Sequence, residues 1–350
     1  MNIIDLCERG YIPDPLARAG MRSLMRRRLA DEANHDGEVR SQRFNRFLDE
    51  LRASPIAVET GAANEQHYEV PAEFFHLHLG PRLKYSCCLY PTGRETLAQA
   101  GEAMLSLYAE RAGLRDGMRI LDLGCGWGSL SLWLAEKYPN SHVIGLSNSH
   151  GQREFIRQRA AERGFDNLTV LTGNVVDFDF PAQDVAAGFD RVMSIEMFEH
   201  MKNYGLLLAK IARWLKPDGR LFVHIFAHRL LAYHFEVQGR SDWMSQHFFT
   251  GGTMPSENLL LNFQDDLSLE RQWWVGGRHY EKTSNHWLQG MDAQKDAIMS
   301  VFRAGYGEAL APIWFQRWRM FYMAVAELFG YAGGNEWGVA HYLFAPRAAR

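Results

Sequence analysis

Apolar positions change their period along the chain, and the changes mark its organisation. Up to about Glu65, Leu and Ala recur at helical spacing among Arg and Glu with few β-branched residues, and Pro13, Pro15 and Pro55 punctuate the run. This predicts two or three helices ahead of a core. His67-Tyr-Glu-Val-Pro71 then reads as an aromatic, acidic turn leading into a short helix, and Thr96 to Arg111 carries apolar residues at helical spacing. From Met118 onward short apolar runs alternate with helical stretches, as a doubly wound α/β sheet requires. Strands are expected at 119–123, 142–146, 168–172, 190–195 and 220–224, with Lys216-Pro-Asp-Gly219 as the turn that introduces the fifth. Past His224 the alternation stops in an aromatic stretch, read as a cap over the carboxyl ends of the strands, at about 226–290. Trp314 to Tyr331 predicts a long apolar helix, broken by Arg317, Arg319 and Glu327 and so packed on the body. Val339 to Phe344 reads as a final strand.

The first strand ends in Asp122-Leu-Gly-Cys-Gly-Trp-Gly128, and its glycines allow a ligand to lie against the main chain at a helix N-terminus. A dinucleotide fold would need Gly-x-Gly-x-x-Gly and an acid at the end of the second strand. Here the glycines alternate, and the second strand ends in Ser147-Asn-Ser149. No Gly-Lys-Ser/Thr follows for a nucleoside triphosphate. A cofactor without phosphates fits, and S-adenosylmethionine is the common one.

The composition of the 350 residues, 47% hydrophobic and 23% charged with a formal charge of -3, is that of an ordinary globular protein with no polyanion partner. Arg22, Arg26, Arg27 and Arg28 read as a solvated helix face rather than a nucleic-acid arm. No leader and no membrane-spanning apolar run are apparent, so a cytoplasmic protein without stable membrane insertion is expected. Cys7, Cys87, Cys88 and Cys125 lack zinc or redox spacing and read as free thiols.

Candidate chemistry gathers after the fourth strand, in Ser194-Ile-Glu-Met-Phe-Glu-His200. Spacing of three and four would put Glu196, Glu199 and His200 on one side of a helical turn. Crowded carboxylates raise each other's proton affinity and an imidazole titrates near neutrality, which suits a base for an ammonium or phenol. The same residues also suit a helix N-terminus whose acids favour the dipole, with a histidine satisfied in the core. Glu69, Tyr85, Cys87, His224 and Tyr280 could reach the strand ends if the flanking segments fold over them. His224, Glu199 and His200 lack a metal signature, and no metal is expected. Aromatic residues make up 13% of the chain, with Trp243, Phe248, Phe249, Trp273, Trp274 and Trp287 in the proposed cap; they suit a flat amine or simply fill a large cap.

Tyr85-Ser-Cys87, Leu121-Asp-Leu-Gly-Cys-Gly-Trp-Gly128, Met197-Phe-Glu-His200 and Lys216-Pro-Asp-Gly219 resemble the cyclopropane fatty acid synthase superfamily of S-adenosylmethionine-dependent methyltransferases. Ile195-Glu-Met-Phe-Glu-His-Met-Lys-Asn-Tyr204, Phe248-Phe-Thr-Gly-Gly-Thr-Met-Pro-Ser256 and Ala324-Val-Ala-Glu-Leu-Phe-Gly-Tyr331 bring it nearest to the coclaurine N-methyltransferase type, over roughly 64–344. The resemblance implies a class I methyltransferase fold with a seven-stranded sheet, a helical region at 1–66 and a methyltransferase domain at 67–350. For the cofactor it implies Tyr85 and Ser86 at the methionine end, with Asp122, Gly124, Gly126 and Ser194 as the cradle. Ser147 and Gln152 are implied at the ribose. Asn174, where the type tends to have Asp, and Val175 are implied at the adenine. Glu196, Glu199 and His200 are implied in amine binding and deprotonation, Glu69 in closing over the amine, and His224, Phe226, Tyr280 and Trp287 in the substrate site. The rival is the lipid enzyme, whose bicarbonate ligands match Cys87, Glu199, His224 and Tyr280. Those synthases have Gly where this chain has Glu196, and a buried carboxylate suits a cationic amine better than an acyl chain. The reading is an N-methyltransferase of a tetrahydroisoquinoline-like amine, with a small-molecule partner and a possible homodimer.

Overall fold

The computed structural model describes residues 2–32, 36–58, 71–237, 239 and 242–347. Its centre is a seven-stranded sheet of β1 (Arg119–Leu123), β2 (His142–Ser147), β3 (Leu168–Thr172), β4 (Phe189–Ile195), β5 (Leu215–His228), β8 (Leu267–Gly276) and β9 (Trp337–Pro346). The order is β3-β2-β1-β4-β5-β9-β8. β1 to β5 are mutually parallel, and β9 runs antiparallel to β5 and β8. Successive β1 side chains feed opposite layers: Ile120 joins Val143, Met193 and Phe222 in one core, and Leu121 joins Ile144, Val192 and Leu221 in the other. A strand covered on both faces reads as an unbroken apolar run, which is why these strands were legible.

Two details differ from the expected pattern. Lys216–Gly219 does not precede β5 but lies within it, as a register shift between the Phe189–Leu215 and Arg191–Arg220 pairs. A Cβ on Gly219 would sit 2.6 Å from the Phe189 carbonyl, so the irregularity requires glycine. β5 also continues past His224 to His228, because β9 pairs along it from Leu221 onward.

The stretch expected to form one cap divides. Residues beyond β5 make a two-stranded ribbon (β6, Tyr233–His234, with β7, Thr253–Met254) around a short helix, Trp243–His247, over the strand ends. β8 returns to the sheet as its edge strand, and the helix Arg278–Ala293 then packs beside the long helix Ala311–Gly330. Trp273 and Trp274, expected in the cap, lie on β8 under the guanidinium groups of Arg111 and Arg229.

The N-terminal helices straddle the domain. Asp14–Glu32 packs on the long helix through Arg18–Glu327 and Arg319–Asp14 ion pairs, at 2.9 and 2.7 Å, while Gly37–Ala53 places Leu48 and Leu51 in the core on the opposite face. Glu8 accepts from Trp243 Nε1 at 2.7 Å and from Arg317 Nε at 2.9 Å, joining the chain start, the ribbon's helix and the long helix. The charges that interrupt the long helix are therefore spent on these partners. Among the described residues no helix is long and apolar enough to cross a membrane.

Candidate functional site

The cleft lies over the carboxyl ends of β1, β2 and β4, and the glycine loop forms its floor. Gly124 takes φ +85° and its N–H donates to Leu146 O; a Cβ there would lie 2.7 Å from Met197. Gly126, at φ +51°, faces open space. Gly128 caps the helix Ser129–Lys137. Asp122 is buried and accepts from Ser131 Oγ at 2.6 Å; burial pushes its carboxyl up to about 6. Ser147 Oγ donates to Gln152 Oε1 at 2.7 Å, leaving the Gln152 amide nitrogen and Ser129 Oγ buried without hydrogen-bond partners. Asn174 Oδ1 accepts from Val176 N, and Asn174, Val175 and Ser147 line one end of the cleft. Tyr85 and Ser86 line the other. Ser194 sits behind the loop, its hydroxyl donating to Leu123 O. A cradle open at Gly126, two unpartnered polar atoms and a helix N-terminus without a phosphate-binding lysine fit S-adenosylmethionine.

Glu196 dominates the opposite wall. It directly follows β4 at φ +49°, a left-handed conformation unusual outside glycine, and so does not share a helical turn with Glu199 as the spacing suggested. Its Oε1 accepts from Cys87 N at 2.9 Å and from His224 Nε2 at 3.0 Å, and its Oε2 accepts from Tyr280 OH at 2.6 Å. Three of the four positions implied for bicarbonate thus converge on this carboxylate. The fourth, Glu199, lies on the 3₁₀ turn Phe198–His200; its Oε1 accepts from Phe226 N at 2.8 Å, and its Oε2 is buried without a partner. Burial raises both carboxyls, opposed at Glu196 by the Lys84 charge and the Tyr280 and Cys87 hydrogen bonds. Glu199 is held well above the ordinary range by burial and then by the Glu196 charge. His200 faces the same cleft and stacks on Phe249 with centroids 4.8 Å apart.

Phe226, Tyr280 and Trp287 line the cleft together with Phe249 of the aromatic stretch, joined by Phe321 and Val325, which the sequence did not single out. His224 is fully buried and meets the cleft only through Glu196. Glu69 lies outside the described residues. Among them no cluster of three or more metal-ligating side chains exists.

Behind Glu196 lies a polar layer with no sequence signal of its own. Lys84 is buried and donates to Cys87 O and Tyr108 OH, and His224 meets both Tyr108 and His341. Burial lowers His224 and His341 well below the ordinary imidazole value, His78 to about 3, and His228 and His234 to about 4. A histidine depressed in the folded state contributes stability that is present above the unfolded value of 6.5 and is lost as pH falls toward the folded value. The melting temperature is expected to drop steadily between about pH 6.5 and pH 4. A flat profile across that window in calorimetry would show that these imidazoles accept a proton without unfolding.

Fold and site together define a class I methyltransferase that uses S-adenosylmethionine. The family model for mycolic acid cyclopropane synthetase matches residues 58–329. The chain is similar to (S)-coclaurine N-methyltransferase of Thalictrum flavum subsp. glaucum, with 38% identity over 98% of this chain and 95% of the relative. Cyclopropane-fatty-acyl-phospholipid synthase of Escherichia coli is 30% identical over 64% of this chain and 55% of its own. The crystal structure of a coclaurine N-methyltransferase bound to N-methylheliamine and S-adenosylhomocysteine superposes with a TM-score of 0.94 at 36% identity, covering 98% of both chains. The chain belongs to the mycolic acid cyclopropane synthetase family and is one of its S-adenosylmethionine-dependent N-methyltransferases.

Proposed function

We propose that this enzyme methylates the nitrogen of a small cyclic amine fused to or bearing an aromatic ring, of the tetrahydroisoquinoline kind. The observation that carries this reading is Glu196, a carboxylate fixed by three donors at the edge of an aromatic-walled cleft. A cationic nitrogen compensates a buried carboxylate, and flat rings stack on Tyr85, Phe226 and Phe249. Bound S-adenosylmethionine supplies an electrophilic methyl carbon whose sulfur departs with the bonding pair. Glu196 and Glu199 hold the ammonium, and His200 or one of these carboxyls takes its proton, freeing the nitrogen lone pair. The rigid wall aims that lone pair along the line of attack, and positioning supplies much of the rate.

Gly124, Gly126, Tyr85 and Ser86 are assigned to the methionine end of the cofactor, Ser147 with Gln152 to the ribose, and Asn174 with Val175 to the adenine. Phe226, Tyr280 and Trp287 are assigned to the substrate wall. The N-terminal helical region up to residue 66 braces the domain that follows, and a cytoplasmic homodimer completes the reading.

The test is incubation of purified protein and S-adenosylmethionine with a panel of tetrahydroisoquinolines and, separately, with unsaturated phospholipid, followed by mass spectrometry. One methyl mass on the amine nitrogen is expected. A methylene gained only by the lipid would overturn the proposal.

A further inference from the structure

We infer that Arg111 and His341 are positioning residues for methyl transfer: with Lys84 and Tyr108 they hold His224 in the tautomer that donates from Nε2, so that Glu196 meets the amine as an acceptor. The inference rests on the proposed amine reading and extends it to residues outside the cleft.

The polarity follows from what each group can do. A guanidinium has donors and no acceptor. Arg111 Nη1 lies 2.6 Å from His341 Nδ1, so that nitrogen must accept. A neutral imidazole then carries its hydrogen on Nε2, which is 2.9 Å from His224 Nδ1. His224 Nδ1 accepts in turn, leaving its hydrogen on Nε2, 3.0 Å from Glu196 Oε1. A second chain starts from another donor-only cation. Lys84 Nζ donates to Tyr108 OH at 2.9 Å, and that hydroxyl lies 3.0 Å from the same His224 Nδ1. The guanidinium thus fixes the orientation of the imidazole, and the Tyr108 hydroxyl, with Lys84 on one lone pair, turns its hydrogen to the bare Nδ1. His224 and His341 are both fully buried, so water cannot compete for these nitrogens.

A consequence concerns the proton. His224 Nε2 already bears a hydrogen and cannot relieve Glu196 of the one taken from the amine. That proton leaves on the cleft side, where His200 stands. The charged and titratable groups facing Glu196 are Lys84, Cys87 and Cys88 before the helix Leu97–Ala112, Tyr108 on it, Glu199 and His200 on the 3₁₀ turn, His224 on β5 and Tyr280 on the helix Arg278–Ala293. Those facing His341 are His224, Tyr108, Arg111 and Lys84.

Tyr108→Phe and His341→Phe each leave one donor on His224 Nδ1, whereas the double variant leaves none. The acid limb of the pH profile of kcat/KM should stay in place in each single variant. It should rise by about one pH unit in the double, lowering kcat/KM about tenfold below it. The nitrogen-15 shifts of His224, recorded without amine, should place its hydrogen on Nε2 in the parent, and Nδ1 should take the shift of an unbonded ring nitrogen only in the double variant. A parent whose His224 hydrogen sits on Nδ1, or a double variant with the parent limb, would overturn the inference. Arg111→Met, at a half-buried position, serves if the double variant does not fold: His341 Nδ1 should take the shift of an unbonded ring nitrogen, and an unchanged Nδ1 shift there also overturns it. Because tautomers are read without amine, failure to methylate any amine would sink the proposed substrate and leave this result standing.

Discussion

Glu196→Gln is expected to lower kcat/KM for amine methylation about a thousandfold while leaving the dissociation constant of S-adenosylhomocysteine within about twofold. The replacement keeps the size of the side chain. Its oxygen can still accept from Cys87 N and His224 Nε2, and its amide can still meet the Tyr280 hydroxyl. What is lost is the charge that compensates an ammonium and the acceptor that can take a proton. Cofactor affinity should hold because the cradle of Gly126 and Gln152 stands on the other side of the cleft. Titration calorimetry with S-adenosylhomocysteine, beside initial rates, separates the two. A variant within fivefold of the parent rate would remove Glu196 from the chemistry.

The second large effect is on stability. Gly277→Ala should lower stability by about 3 kcal/mol and the melting temperature by about 5 °C or more. Gly277 links β8 to the helix Arg278–Ala293, and a Cβ there would lie 2.1 Å from Phe329 O and 2.2 Å from Trp337 O. Both neighbours are backbone, of the long helix and of β9, so neither can rotate away. The helix that must shift carries Tyr280 and Trp287, so residual activity should fall further than the folded fraction does. Differential scanning calorimetry with activity on the same sample checks this. An unchanged melting temperature would mean that the junction yields easily.

The parts of the fold legible in the sequence are those whose reasons are local. The five parallel strands showed because burial on both faces leaves unbroken apolar runs. The cofactor loop showed because alternating glycines at a strand end have few other uses. Thr96 and Gln99 form a reciprocal cap at the start of the expected helix. β8 did not show as a strand, since an edge strand rich in Glu270, Arg271 and Gln272 lacks that continuity. The cluster of Glu196, Glu199 and His200 was visible, but its geometry was misread: helical spacing implied one face of a turn, whereas Glu196 sits in a left-handed bend just after β4 and ahead of the turn. Its partners were invisible as partners, because Tyr280 stands 84 positions away and Cys87 stands 109 away. Lys84, Tyr108, Arg111 and His341 gave no signal, since a buried polar layer is recognisable only when its hydrogen bonds are seen to close.

The left-handed backbone at residue 196 bears on how such enzymes diversify. It is a conformation in which glycine is the easier occupant, so the local chain does not ask for glutamate. Glutamate and glycine codons differ by a single base, and the exchange would ease the backbone while stranding three donors. Because these effects oppose each other, folding is a poor guardian of this position. Selection on the reaction itself has to keep the carboxylate there, and a lineage relieved of that selection stands one mutation from an empty pocket on an intact scaffold.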